Sequence, residues 1–291
     1  MSAVLQRHAL RTADGALLDV LEGRVSGPSK GVVILLHAMM ADRRSMRHVA
    51  AALWAQGFDT VAASFRGRGP TPAFQRRDWS YDDLVAFDVP TVVDHARRMN
   101  RGPVSLVGHS LGGHVTTASL ASGRCRLDGL VLVGSNIWLP RHDDDRVRRQ
   151  MRTQALRAMA SMVMLYGRVP ARSWGVGSAD EAASYAADLK RYWSTNQWVS
   201  RDGTIDYLER ARHIDLPVLV VVSRDDALLG HRTGAMNFAK EIGDGKPDIW
   251  FAGRGSGGIE APLDHMGLCM SKNAGTLWRR AAEWIASATA T

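Results

Sequence analysis

The sequence predicts an α/β fold built on a mainly parallel sheet with helices on both faces. Three observations carry that expectation. Short apolar runs rich in Val, Ile and Leu recur along the chain; segments with apolar residues every three or four positions lie between most of them; and one run leads through a glycine-flanked serine straight into such a segment.

The runs are 31–38 (GVVILLHA), 58–65 (FDTVAASF), 104–110 (VSLVGHS), 130–135 (LVLVGS), 216–223 (LPVLVVVS) and 248–253 (DIWFAG). They are too short for core helices and end in Gly, Ser or charged residues, as strands buried on both faces do. Helical periodicity spans 45–56, 88–99, 111–121, 228–242 and 273–287. Asp88 is expected to cap the second of these, which places Pro90 in the first turn, where a missing N–H costs little. Residues 13–25 (ADGALLDVLEGRV) read as an antiparallel lead-in hairpin. The alternation breaks between Ser135 and Leu216, where helical patterns at 144–166 and 179–198 replace strands. A detour this long is not bare loop. It predicts a helical cap at 139–214, between core segments 1–138 and 215–291. Met151, Met159, Met162, Met164, Trp174, Tyr185, Tyr192, Trp193 and Trp198 lie in it, as packing residues or as the lining of an apolar acyl pocket.

Bulk properties bound the function. The 291 residues are 45% hydrophobic and 23% charged, ordinary for a globular chain. No apolar run approaches the about 18 residues needed to span a membrane. The start, MSAVLQRHALRTADG, has no apolar stretch behind a basic segment, so no signal peptide is expected. Cys125 and Cys269 make neither a disulfide framework nor a zinc site, and a cytoplasmic setting fits them. The net charge of +8 could serve an acidic partner, but the basic residues, densest from Arg141 to Arg172, do not alternate with aromatics as a base-stacking surface requires. Nucleic acid is therefore not expected, and the charge reads as solubility and substrate steering.

The chemistry centres on Gly108-His109-Ser110-Leu111-Gly112. A G-x-S-x-G match alone is weak. Here a buried strand leads in and the helix LGGHVTTASLA leads out, the strand–turn–helix context that lifts a serine Oγ above a sheet edge. No Lys-Ser or Lys-Thr follows the glycines, which disfavours a phosphate loop. A serine nucleophile needs a base, and the base an orienting carboxylate; around such an elbow they follow in the order Ser, acid, His. Asp225 and Asp226 stand just past the strand 216–223, with Asp226 preferred. His265 is the one histidine between the last strand and the last helix, beyond the glycine-rich stretch 253–258. The oxyanion needs two backbone donors: the Leu111 N–H, and by position the Met39 N–H in the turn His37-Ala38-Met39-Met40. His37 is expected to orient that turn, and His109 and His114 to pack beside the elbow.

Together these residues resemble the α/β-hydrolase superfamily over essentially the whole chain, through the His37-Ala38 turn, Phe65-Arg66-Gly67-Arg68-Gly69, the Gly108–Gly112 elbow, Pro217…Asp226 and Asp264-His265. The resemblance implies an α/β-hydrolase fold with an eight-stranded, mostly parallel sheet, supports Ser110, Asp226 and His265 as a triad, and implies neither metal nor organic cofactor. His-Ala stands where His-Gly is commoner, and Ser64 where an Asp often opens the loop after the strand 58–65. A nucleophilic Asp at the elbow would suggest a dehalogenase or epoxide hydrolase; Ser110 argues against both. Trp79–Leu84 is similar to a little-characterised branch of intracellular hydrolases. The expected activity is hydrolysis of a carboxylic ester, thioester or lactone, on a small molecule with an apolar acyl part, through an acyl-Ser110 intermediate. An acyltransferase using the same intermediate and a non-catalytic ligand-binding protein are the alternatives. A homo-oligomer is left open.

Overall fold

Aliphatic runs that pack on both faces set the centre of the sheet. In the computed structural model, which describes residues 2–74, 78–256 and 262–290, the strands are β1 (Ala3–Arg11), β2 (Leu17–Val25), β3 (Val32–Leu36), β4 (Asp59–Ala63), β5 (Val104–His109), β6 (Gly129–Val133), a two-residue pair β7 (Arg168–Val169) and β8 (Glu181–Ala182), then β9 (Val218–Ser223) and β10 (Asp248–Ala252). Eight of them form one sheet in the order β1-β2-β4-β3-β5-β6-β9-β10. β2 is antiparallel to both β1 and β4, and β4 through β10 run parallel. The order reverses direction around β3 and β5, the place where an open α/β sheet leaves a crevice beyond the strands' C-terminal ends.

Side-chain alternation divides the core into two layers. Val32, Ile34 and Leu36 of β3, with Leu106 of β5 and Leu132 of β6, pack under α3 (Val89–Met99), α4 (Leu111–Ala121), α7 (Tyr207–Ala211) and α8 (Arg232–Ala239). Val33, Leu35, Val107, Val131 and Val221 face the other way, onto α1 (Arg47–Ala55), α9 (Gly267–Met270) and α10 (Gly275–Ala288). Burial on both faces explains why these strands read as continuous apolar runs rather than alternating ones.

Two elements differ from the sequence reading. The lead-in hairpin begins at Ala3, not at residue 13: β1 is an edge strand, largely exposed, and carries no apolar alternation that would mark it. Asp88 does not cap a helix. The helical path starts at α2 (Tyr81–Asp83), where Ser80 and Asp83 form a reciprocal capping box, and passes through a wide turn at Leu84–Asp88 into α3. The wide turn sits just before Pro90, whose missing N–H would break the regular ladder. The Asp88 carboxylate instead holds the buried Arg66, accepting from its Nε at 2.7 Å and its backbone N–H at 2.8 Å, while Asp14 takes the two terminal nitrogens at 2.8 and 3.0 Å.

Between β6 and β9 lie α5 (Arg146–Tyr166), the β7–β8 pair, α6 (Ala183–Thr195) and α7. α6 is rooted deeply: Tyr185 and Tyr192 are buried with Trp198 and Tyr207 around Tyr81. Trp198 Nε1 donates to the Tyr81 hydroxyl, which lies 2.9 Å from His114 Nδ1 on α4. The stretch Trp79–Leu84 is thus the seat of this segment. α5 is looser, with Met151, Met164, Leu165 and Tyr166 exposed. No helix of the described residues is long and apolar enough to cross a membrane, and Cys125 and Cys269 are free and buried.

Candidate active site

β5 ends at His109 and α4 begins at Leu111, so one residue makes the whole turn. That residue, Ser110, has φ 51° and ψ −110°, a conformation that strains any side chain by about 1–3 kcal/mol. The turn is tight because a strand glycine and the first helix glycines let backbones touch. A Cβ on Gly112 would lie 2.5 Å from the Leu36 carbonyl oxygen, and one on Gly108 2.5 Å from Gly113 Cα. The Ser110 N–H is tied to the Val133 carbonyl at 2.9 Å and the Gly112 N–H to that of His37 at 3.1 Å. The hydroxyl group is left at the C-terminal edge of the sheet, partly exposed.

Asp226 and His265 meet at the same edge. His265 Nδ1 donates to Asp226 Oδ2 at 2.6 Å, with both side chains nearly buried. The second aspartate is used differently. Asp225 is exposed and accepts the Leu263 N–H at 3.0 Å, fastening the chain that leads to His265. Asp226 is clasped by its own loop, accepting backbone N–H groups from Leu228, Leu229 and Gly230 at 3.2, 3.0 and 2.7 Å. Burial alone would raise the Asp226 carboxyl; the His265 hydrogen bond and charge, with the loop N–H groups, outweigh it and hold the carboxyl below its usual range. His265 is positioned from below as well. His109 Nε2 donates to the His265 carbonyl at 2.9 Å, and burial keeps the His109 imidazole neutral. A Cβ on Gly134, just past β6, would lie 3.3 Å from His265 Nδ1. Among the described residues the Ser110 hydroxyl makes no hydrogen bond to His265; such a bond commonly tightens only when substrate is bound. The glycine-rich stretch 253–258 is described only to Ser256, and residues 257–261 lie outside the described residues.

The turn after β3, which carries the Met39 N–H, is fixed by His37. His37 is buried, and burial followed by the Arg68 guanidinium pushes its imidazole down to about 3. Being neutral, it donates from Nδ1 to the Ala38 carbonyl at 2.7 Å and accepts the Phe65 N–H on Nε2 at 3.1 Å, locking the β3 turn to the β4 turn. Among the described residues no protein acceptor takes the N–H of Met39 or of Leu111.

One arrangement at this turn was not visible in the sequence. Met40 sits at φ 58°, and both of its backbone polar groups are held by the segment inserted after β6. Its N–H donates to Glu181 Oε1 at 2.5 Å, and its carbonyl accepts from the N–H groups of Ser178 and Ala179 at 2.8 and 3.2 Å. The Glu181 carboxylate is in turn paired with the buried Arg68 guanidinium. Partners more than 100 residues apart leave no local pattern to read. An open cleft of about 720 Å³ between the starts of β9 and β10 and the end of α10 lies at the other end of the strands, away from Ser110.

A strained serine elbow, a carboxylate–imidazole pair at the same edge and this eight-stranded sheet define an α/β-hydrolase. The chain belongs to the hydrolase family described as serine aminopeptidase, S33, whose profile matches residues 27–249. It is similar to triacylglycerol lipase 2 of Arabidopsis thaliana, 27% identical over 142 residues, which cover 40% of this chain and 33% of the lipase; the match spans about a third of that relative's length. An esterase of Pyrococcus furiosus superposes with a TM-score of 0.65 at 15% identity, covering 99% of this chain and 91% of its own. A thermophilic esterase of Thermogutta terrifontis gives 0.64 at 17%, covering 98% and 99%. At these identities the two structures show the shared fold.

Two outcomes follow from this geometry. Ser110→Gly is expected to be more stable than Ser110→Ala by about 1 kcal/mol in urea unfolding, the reverse of the order in an ordinary helix; equal midpoints would mean the turn is unstrained. Because the Asp226 carboxyl is depressed in the fold, its stabilisation is present above about pH 4 and is lost as the pH falls through its folded value. The melting-temperature gap between the wild type and Asp226→Asn should therefore be full at pH 7 and narrow below pH 4; a gap constant to pH 3 contradicts the pairing.

Proposed function

We propose that the protein is a serine hydrolase of carboxylic esters, thioesters or lactones, with Ser110 as nucleophile, His265 as general base and acid, and Asp226 as the orienting carboxylate. The observation that carries it is the 2.6 Å bond from His265 Nδ1 to Asp226, at the sheet edge that presents the strained Ser110. With Nδ1 engaged by Asp226, Nε2 is the nitrogen left to take a proton. Ser110 Oγ attacks the carbonyl carbon as its proton passes to His265 Nε2, and the developing oxyanion accepts from the Leu111 and Met39 N–H groups. Collapse expels the alcohol or thiol, which takes the proton from Nε2. Water then attacks acyl-Ser110 by the same route, and the acid and free serine are released. Asp226 stays ionised throughout and steadies the imidazolium.

Residues 139–214 form the helical cap in this reading, over a core made of 1–138 and 215–291, and the apolar side chains of α5 and α6 receive an apolar acyl group. Ester chemistry is supported by the esterase and lipase names of the relatives. The two free, buried cysteines suit a reducing, cytoplasmic setting. Glu181 acts as a positioning residue: by holding Met40 in its positive-φ conformation it sets the direction of the adjoining Met39 N–H.

A fluorophosphonate probe is expected to label Ser110, and Ser110→Ala to lose both labelling and about 10³-fold or more of aryl-ester turnover; labelling elsewhere, or activity retained in the Ala variant, would overturn the assignment. A panel of aryl esters and thioesters of increasing chain length, with an aminoacyl anilide beside them, reads the acyl preference and separates ester from peptide-type substrates. Glu181→Ala is expected to lower kcat by about 10²-fold with KM little changed, and Glu181→Gln, which keeps an acceptor for the Met40 N–H, to recover most of that loss. Unchanged kcat in Glu181→Ala would remove the positioning role.

A further inference from the structure

A cluster of metal-ligating side chains lies away from the Ser110 edge, between the N-terminal hairpin and α3. Gln6 of β1 pairs with Glu22 of β2, and His8 pairs with Val20. Two residues along a strand share a face, so His8 and Glu22 are diagonal neighbours on the face that also carries Leu18 and Val20. That face packs under α3, and α3 brings His95 down onto the same point. His95 Nε2 lies 2.7 Å from Glu22 Oε1, and His8 Nε2 lies 3.2 Å from the same oxygen. The three donor atoms are all within 4.8 Å of one another.

We propose that His8, Glu22 and His95 form a three-ligand site for a divalent transition ion of the zinc class. Two features support a cation rather than a simple hydrogen-bonded cluster. Glu22 is 4% exposed, and a buried carboxylate needs compensating charge; Arg24 meets only its Oε2, and Oε1 faces the two imidazoles. Both ring nitrogens of His8 are screened from solvent yet make no hydrogen bond: Nε2 is near Glu22 Oε1 but does not point along a bond to it. The donor set and spacing also fit. Two imidazoles and one carboxylate are an open zinc-type set, and ligands about 2.0–2.2 Å from a tetrahedral ion sit roughly 3.3 Å apart; His8 Nε2 already lies 3.2 Å from Glu22 Oε1, and the 2.7 Å His95 contact would exchange its shared proton for the ion and open by a few tenths of an ångström. Arg24 reaches the other carboxylate oxygen, Oε2, at 3.2 Å, which orients Oε1 toward the two rings as an outer partner does in metal sites. Such an ion would join the exposed edge strand β1 to β2 and α3, with its fourth position open to water.

The test is zinc binding by the full chain, measured by calorimetry with Zn²⁺ alone and by the shift in melting temperature. The wild type is expected to bind one Zn²⁺ at this cluster and to melt higher with it. His8→Ala and His95→Ala should each weaken that binding by roughly tenfold or more and abolish the shift. His213→Ala, an exposed histidine elsewhere, and His265→Ala, at the other carboxylate–imidazole pair, should leave this binding intact. Both ligand variants are checked for unchanged melting without zinc, and His8→Gln is the alternative should His8→Ala fold poorly. Failure of the wild type to bind zinc, or binding unaffected by the His8 and His95 changes, overturns the proposal. Aryl-ester turnover is measured separately and plays no part in either outcome.

Discussion

The first turn of α4 rests directly on the backbones of β3 and β5, and the site depends on that contact. Gly112 lies against the Leu36 carbonyl and Gly108 against Gly113, so the helix enters the sheet closer than side chains would allow. The approach leaves only Ser110 to reverse the chain, at a positive φ, and it points the first N–H groups of α4 toward the sheet edge. Strain in one residue is tolerated because the surrounding packing is over-determined: β3 and β5 are buried throughout, and their neighbours fix the turn from both sides.

A second layer of control comes from charged groups placed out of water. Arg66 and Arg68 follow β4 and are both almost wholly buried. Arg66 is fully engaged by Asp14 and Asp88, and shapes the loop. Arg68 pairs with Glu181, which reaches across from the segment inserted after β6 and takes the Met40 N–H. A buried pair of this kind adds little net stability, because desolvation offsets most of the attraction. What it contributes is geometry: one carboxylate fixes the turn after β3 and the inserted segment to each other.

The sheet was legible in the sequence because strands buried on both faces concentrate Val, Ile and Leu into short runs, and α4 was legible to its bounds because the elbow marks its start. That Ser110 and His265 lie at the C-terminal edge of the sheet followed from their positions along the chain. The preference for Asp226 over Asp225 could not rest on pattern, since both follow β9; the structure distinguishes them by three backbone N–H groups that turn one carboxylate toward His265. β1 was missed because an exposed edge strand has no buried face to periodise its residues. Asp88 looked like a cap because its partner, Arg66, is 22 residues away. Met40 and Glu181 were silent for the same reason, as contacts across the chain leave no mark at either end.

The aromatic group around Tyr81 also decides which part of the inserted segment can open most easily. Tyr185, Tyr192 and Trp198 are buried, so lifting α6 as a flap would expose several large rings at once, a costly opening. The far end of α5 is held less deeply: Met164, Leu165 and Tyr166 stand in solvent, and its hold is the smaller cluster of Met159, Met162, Val163 and Val169. Local opening of the inserted segment is therefore cheapest along the solvent face of α5 and costliest at the rings of α6.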